Sequence, residues 1–240
     1  TSSRFDTTAR SMCLILFAHD VHPEYRLILA ANRDEFFNRP TAPAGRWEDA
    51  PRVLAGRDLQ GGGTWLGVTD DGRWAAVTNF REPAPPRRDA PSRGHLVSAF
   101  LLSDVGPTEY AAAIAPRVEL YNGFNLLLGD AREVVWISNR TSRGPGLSQR
   151  ALPTGIYGVS NHLLDTPWPK VTRGKEALAR IVENSATPAP EELLDLLLDT
   201  SYAAEHELPS TGVPLELERA LSAAFISLPD YGTRSSTALL

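Results

Sequence analysis

The stretch from Met12 to Glu35 constrains the fold more than any other. Met12-Cys13-Leu14-Ile15-Leu16-Phe17 and Leu27-Ile28-Leu29-Ala30-Ala31 are short apolar runs, and the turn-forming Asp20-Val21-His22-Pro23-Glu24 lies between them. Such a pair predicts a β-hairpin, Cys13 to Ala18 against Arg26 to Ala31. The polar Asn32 to Arg39, closed by Pro40, then predicts a loop at the strand end, where charged residues commonly line a site.

Met12 is the only methionine and Cys13 the only cysteine. A start methionine is normally removed ahead of a small residue, which would leave Cys13 with a free α-amine. The thiol is a nucleophile, and an α-amine has a reference pKa of about 7.7–8.0, close to what a general base at neutral pH requires. Nucleophile and base then share one residue. The competing reading of Cys13 is a small buried hydrophobe on a core strand. Thr1 to Ser11 precede Met12 and contain arginines but no apolar core, so they predict a flexible arm (a cloning remnant, a mis-assigned start or a short pro-segment) and not a secretory signal.

Further along, Val53-Leu54-Ala55-Gly56 predicts a short strand after an irregular Pro40–Pro51 region. Thr64 to Val68 and Trp74 to Thr78 flank Asp71-Gly72, a strong hairpin signal. Gly61-Gly62-Gly63 is followed by a strand and by no Gly-Lys-Ser/Thr, which excludes a P-loop. Pro83 to Pro91 predicts an exposed loop. Ser92 is expected to cap a helix through Leu102, and Thr108 another through Ala115, stopped by Pro116. Phe124 to Leu128 and Glu133 to Ile137 predict a third hairpin, and Gly155 to Ser160 a strand ending at Asn161.

From Trp168 the apolar period changes. Val171, Ala177, Leu178, Ile181 and Val182 fit one helix face, Leu193 to Leu198 the next, and Glu216 to Ala224 a third helical piece. Phe225-Ile226-Ser227 and Ser236 to Leu240 return to strand character. Strands, helices, strands, helices and strands, with hairpins outnumbering βαβ units, predict an α+β fold: a four-layer αββα sandwich of largely antiparallel sheets, in one domain over residues 12–240.

Composition narrows the function. At 240 residues the chain can bury a substantial core, and a net charge of −5 with a pI near 5.6 gives no pull toward nucleic acid or anionic membranes. No apolar run is long enough to span a bilayer, and one cysteine permits no internal disulfide, so a reducing cytoplasmic setting is expected. His19, His95 and His162 lack metal spacing, and no metal or cofactor is expected. The five tryptophans predict core and rim packing.

Met12-Cys13, Asn32-Arg33-Asp34-Glu35, Gly63-Thr64-Trp65-Leu66-Gly67 and Tyr231-Gly232-Thr233-Arg234-Ser235, in that order, resemble the NRDE family, that of the transport and Golgi organisation 2 proteins. The family in turn resembles the cysteine N-terminal-nucleophile hydrolases such as penicillin V acylase and bile-salt hydrolase. The resemblance implies a nucleophile at Cys13 and an arginine at Arg33. It implies oxyanion donors at Asn79 and Asn161 and a late arginine at Arg234. The aspartate expected three residues after Arg33 is replaced by Phe36, leaving Asp34 or Glu35 to hold the α-amine. The last strand stops at Leu240, short of where family members generally continue, so an incomplete last sheet edge is expected. Arg33 is expected to favour the thiolate by its charge or to pair with Glu35. Arg234 either clamps a substrate carboxylate or is an ordinary strand-end residue. Asn79 either donates to an oxyanion or caps a turn.

Two functions follow from the resemblance. One is an amidohydrolase that cleaves a non-peptide C–N bond in a small amide or acyl substrate. The other is a haem or acyl-lipid (acyl-CoA) binding and trafficking protein on the same fold.

Overall fold

The computed structural model describes residues 12–240, so the arm expected over Thr1–Ser11 lies outside the described residues. A four-stranded antiparallel sheet runs β10-β1-β2-β11, from β1 (Cys13–His19), β2 (Leu27–Phe36), β10 (Gly155–Val159) and β11 (Tyr231–Leu239). A seven-stranded antiparallel sheet runs in chain order: β3 (Thr41–Trp47), β4 (Ala50–Asp58), β5 (Leu66–Thr69), β6 (Trp74–Asn79), β7 (Phe124–Gly129), β8 (Val134–Thr141) and β9 (Gly144–Ala151). Helices α1 (Gly94–Leu102) and α2 (Pro107–Ile114) interrupt the second sheet between β6 and β7. Helices α3 (Pro169–Asn184), α4 (Pro190–Leu196) and α5 (Leu215–Leu221) lie between β10 and β11.

The layering follows from strand alternation, since successive side chains leave opposite faces of a strand. Ile15 and Phe17 of β1 and Leu29 and Ala31 of β2 meet Trp74, Ala76, Leu127, Val134 and Trp136 of the other sheet. Their neighbours Leu14, Leu16, Ile28 and Ala30 pack instead under Val171, Leu178, Leu193 and Leu197, from α3 and the α4 region. The second sheet repeats the pattern, turning Ala75, Val77, Leu126, Leu128, Val135 and Ile137 toward Val97, Phe100, Leu101 and Ala111 of α1 and α2. The order is helices, sheet, sheet, helices, as the hairpin-rich pattern predicts. Glycine allows the closest approach between layers: a Cβ at Gly174 of α3 would lie 2.5 Å from Leu16 Cδ1.

Several local expectations are corrected. Asn32 to Phe36 is not a loop but the end of β2, paired with β11 on one side and, through Arg33, with β1 on the other. The region from Pro40 to Pro51 holds β3 and the start of β4, and β9 adds an unanticipated edge strand. Both extra strands are edges whose Gly- and Pro-bearing sequences carry no apolar alternation. Ser92 does not cap α1, whose N-cap is Arg93 without a side-chain bond. Thr108 lies inside α2, and its backbone N–H and Oγ1 both donate to Glu133, at 2.9 and 2.6 Å, so a carboxylate from the loop before β8 serves that helix end. Phe225–Ser227 contributes only the isolated bridge Ser227 to Gly232. Tyr231–Arg234 opens β11, which pairs with β2 from Tyr231 opposite Phe36 to Leu239 opposite Leu29.

Candidate active site

The second half of β2 carries the site, and alternation splits it in two. Arg33 and Glu35 share a face with Leu29 and Ala31, toward the space between the sheets, while Asn32 and Asp34 face the helices α3 to α5. Cys13 opens β1 directly opposite Arg33 and lies on the same inter-sheet face.

Where the sheets splay apart, that face becomes a cleft of about 1480 Å³ lined by Cys13, Arg33, Glu35, Asn79, Arg93 and Arg234, with an apolar wall from Trp65, Leu66, Val68 and Leu239. Arg33 Nη2 lies 3.6 Å and Arg39 Nε 3.5 Å from the same Glu35 oxygen. Arg234 is the extra residue of a bulge, because β2 register passes from Asp34 opposite Thr233 to Arg33 opposite Ser235. The bulge turns its guanidinium to donate to the carbonyls of Phe36, at 3.2 Å, and Arg39, at 2.5 Å.

Arg93 is a cleft residue that sequence reasoning missed. The glycines rejected as a phosphate cradle explain its position: Gly62 and Gly63 both have φ of +71°, and a Cβ on Gly63 would come within 2.4 Å of the Gly94 carbonyl. Only glycine lets that loop close onto the start of α1 and hold Arg93 half-buried in the cleft wall. Arg93 Nη1 donates to Gly123 O at 2.9 Å. Burial pulls its pKa down to about 10, opposed by the neighbouring Cys13 and Glu35.

The Cys13 main chain is held by residues that follow β10. Its N–H donates to Asn161 Oδ1 at 3.3 Å, its carbonyl accepts from Ser160 Oγ at 2.8 Å, and Asn161 Nδ2 donates to the Asn79 carbonyl at 2.9 Å. Asn161 is buried and grips main chain on both sides, whereas Asn79 lies in the cleft wall. With Met12 attached, the thiol is pushed up to about 12, first by burial and next by the Asp34 charge. The Asp34 backbone N–H and the Arg33 charge act the other way and are outweighed. Arg33 thus acts on the thiol in the expected direction, and with Met12 attached burial and Asp34 outweigh it.

Behind β2 lies a second polar region. Met12 is fully buried, with its N–H donating to Tyr231 Oη at 2.5 Å and its carbonyl accepting from the Asp34 N–H at 2.9 Å. Arg81 Nη2 reaches the Met12 sulfur at 2.7 Å, and Arg81 Nη1 pairs with Glu218 at 2.6 Å, both side chains almost wholly buried. Asp34 Oδ1 accepts from Thr233 Oγ1 at 2.5 Å, but Asp34 Oδ2 has no hydrogen-bond partner among the described residues, and neither has Lys170 Nζ. Burial raises Asp34 to about 7, opposed by Lys170, Thr233 and Arg33, and lowers Lys170 to about 8, opposed by Asp34. Lys170 is the other residue that sequence reasoning missed, since a lysine just after Pro167-Trp168-Pro169 gives no sign of burial.

Among the described residues no cluster of His, Cys, Asp and Glu has metal-binding geometry, and no helix is long and apolar enough to cross a membrane.

Two antiparallel sheets packed face to face between helical layers form a fold shared with the N-terminal-nucleophile hydrolases. A solved structure of this class, a Caenorhabditis elegans N-acylethanolamine-hydrolyzing acid amidase ortholog, superposes with a TM-score of 0.55 over 78% of this chain and 86% of that one, at 11% sequence identity. The profile of the family described as Transport and Golgi organisation 2 matches residues 12–240, and the chain belongs to that family. It is 38% identical to the Transport and Golgi organization protein 2 homolog of Bos taurus over 248 residues, covering 95% of this chain and 88% of the bovine protein. The human homolog is 37% identical over the same coverage.

Proposed function

We propose that the protein is an amidohydrolase that cleaves a linear, non-peptide amide through Cys13 as an N-terminal nucleophile. The observation that carries this reading is the position of Cys13: it lines the inter-sheet cleft, its main-chain N–H is held by Asn161, and the charge of the buried Asp34 acts on its thiol. The fold shared with an enzyme described as hydrolysing N-acylethanolamines supports an N-acyl amide as the substrate class.

Removal of the residues up to Met12 converts the Cys13 amide into an amine. Sγ attacks the acyl carbon and the amine takes the thiol proton. The tetrahedral intermediate collapses with cleavage of the C–N bond, and the ammonium returns the proton to the departing amine. Water, deprotonated by the same α-amine, then attacks the thioester and releases the carboxylic acid, regenerating the thiol. Asn79, in the cleft wall, donates to the oxyanion. Asn161 fixes the reacting nitrogen, Arg33 lends positive charge beside the sulfur, and Arg234 faces the substrate. Of the two carboxylates after Arg33, Glu35 is engaged by Arg33 and Arg39 in the cleft, which leaves Asp34 to hold the amine.

The test is Cys13→Ala. Loss of one sulfur costs about 1–2 kcal/mol, which a domain of this size tolerates, so the variant folds and N-acyl amide turnover disappears. Turnover that survives the substitution, or an intact mass of active protein that still contains Met12, overturns the mechanism.

A second reading, a carrier of haem or acyl-CoA, is favoured by the cleft itself. Its volume exceeds the roughly 300–1,000 Å³ of ordinary small-molecule pockets, and it pairs an apolar wall with Arg93 and Arg234, whose guanidinium groups donate to backbone carbonyls. Haem and acyl-CoA titrations that give equal affinity in wild type and Cys13→Ala, with no turnover in either, would favour the carrier.

A further inference from the structure

Met12 fills a polar space. Its backbone and sulfur occupy Tyr231 Oη, the Asp34 N–H and an Arg81 nitrogen, so its departure uncovers all three where the new α-amine arises. The charged and titratable groups acting on that space are Asp34 from β2, with Arg33 and Glu35 beside it on the same strand, Tyr231 from β11, Arg81 after β6, Glu218 from α5, Lys170 from α3, and the thiol of Cys13. Arg81 is already bound to Glu218 at 2.6 Å, and burial holds the Tyr231 phenol neutral. Among the described residues, two buried ionisable groups remain without a full set of partners, Asp34 through Oδ2 and Lys170 through Nζ. They are not in direct contact, yet each is the other's main electrostatic opponent to burial. A cavity of about 10 Å³, the size of a single water, borders Lys170 between Arg81 and Glu218.

A carboxylate alone beside the amine would defeat the chemistry. An opposite charge within about 4–6 Å moves a pKa by roughly 1–3 pH units, so Asp34 unaided would hold the amine as ammonium at neutral pH, and an ammonium is no base. We infer that Lys170 is the counter-charge that keeps the Cys13 α-amine unprotonated, balancing Asp34 across the space vacated by Met12 so that Asp34 holds the amine by a hydrogen bond without loading it with a proton. Lys170 acts through Asp34 and is a positioning residue. The inference rests on the reading of Cys13 as an N-terminal nucleophile.

Because the chain has one cysteine, [13C]cysteine labelling gives a single resonance set that reports the amine directly. The protein is expressed from Met12, where the family match begins, and its intact mass is checked for a free Cys13. Titration should place the wild-type amine at or below the reference of about 7.7–8.0. Lys170→Met should raise that pKa by at least about 1, Lys170→Arg should leave it nearly unchanged, and adding Asp34→Asn to Lys170→Met should bring it back down. The acid limb of kcat/KM for an N-acylethanolamine should move with the amine. A rise of about 1 in its pKa then costs Lys170→Met about tenfold at pH 7, regained above about pH 9. A merely structural lysine would lower activity evenly across pH. An unchanged amine pKa in Lys170→Met overturns the inference alone. Should that variant fail to fold, Asp34→Asn by itself must lower the amine pKa, and a rise or no change overturns it equally. An intact mass retaining Met12, or turnover independent of Cys13, overturns the underlying reading and the inference with it.

Discussion

The cleft face and the helix face of β2 treat charge in opposite ways. In the cleft, Glu35 lies between Arg33 and Arg39, Asp58 is bound by Arg39 at 2.6 Å and Glu82 by Arg140 at 2.7 Å, so carboxylates meet guanidinium groups at an open wall. Under α3, Asp34 and Lys170 are buried without direct contact, and among the described residues neither Asp34 Oδ2 nor Lys170 Nζ has a hydrogen-bond partner. Pairing fixes the carboxylates of the cleft wall, and Arg39 holds Asp58 below the usual carboxylate range. Burial without full pairing pushes the acid up and the lysine down, each opposed by the charge of the other. One residue of offset along a strand separates the two environments.

The largest expected effect separates the faces by stability. Asn32, fully buried beside Asp34, donates from Nδ2 to the carbonyls of Leu197, at 2.9 Å, and Ala224, at 2.8 Å, and accepts from Ser236 Oγ at 2.6 Å. It ties β2 to the end of α4, to the segment after α5 and to β11. Asn32→Ala strands two buried carbonyls and a hydroxyl, at about 1–3 kcal/mol each, so urea unfolding should record a loss of roughly 3 kcal/mol or more. Glu35→Gln on the cleft face is isosteric and still accepts from the Phe36 N–H, so although Glu35 and Arg33 are buried it gives up only ion pairs of 3.5–3.6 Å and should cost less than Asn32→Ala. Equal losses would erase the distinction between the faces.

This asymmetry also marks what is legible in the sequence. β1, β6, β7 and β8 carry apolar residues on both faces, so their strands, their hairpins and the sandwich are readable from pattern. The end of β2 reads as a loop because Asn32-Arg33-Asp34-Glu35 is wholly polar, although it is strand with a cleft on one side and a buried polar chamber on the other. β3 and β9 are invisible to pattern because exposed edges need no apolar face. Cys13, Arg33, Asn79 and Arg234 are legible as cleft residues through family motifs. Arg93 and Lys170 are not, since each owes its place to tertiary packing: glycine contacts at the start of α1 for one, the docking of α3 onto β1 and β10 for the other.

A smaller effect should appear as pH dependence of stability, and its sign is unusual. An acid whose folded pKa lies above its unfolded value binds more protons when folded, so its contribution falls as pH rises between the two. For Asp34 that window runs from about 3.8 to about 7. Lys170, lowered from 10.5 to about 8, makes the unfolded chain the better proton binder between those values, so stability should rise with pH there. Asp58 and Asp199, held below the usual carboxylate range despite burial, by Arg39 and backbone amides and by Ser201 respectively, act in the opposite sense at the acid end. The Asp34 contribution is therefore read as wild type minus Asp34→Asn, and that difference should decline from about pH 4 to about pH 7. A flat difference would mean that Asp34 is not buried as described.

The smallest effect tests whether the faces communicate through Cys13. With Met12 attached the thiol sits near 12, and burial and Asp34 on the helix side outweigh Arg33 on the cleft side. Alkylation by iodoacetamide at about pH 8 should then be far slower than that of free cysteine, because only the thiolate reacts. Arg33→Ala removes a charge that lowers the thiol pKa and should slow the reaction further. Glu35→Gln removes one that raises it and should speed it. Each change should be about two- to fivefold, less than the roughly tenfold that a full pKa unit gives, since both charges rank below burial and Asp34 among the causes. Asp34→Asn, acting from the opposite face, should accelerate alkylation more than Glu35→Gln does. The reverse order would mean that the cleft charges govern the sulfur, and that the chamber behind β2 acts on the amine alone.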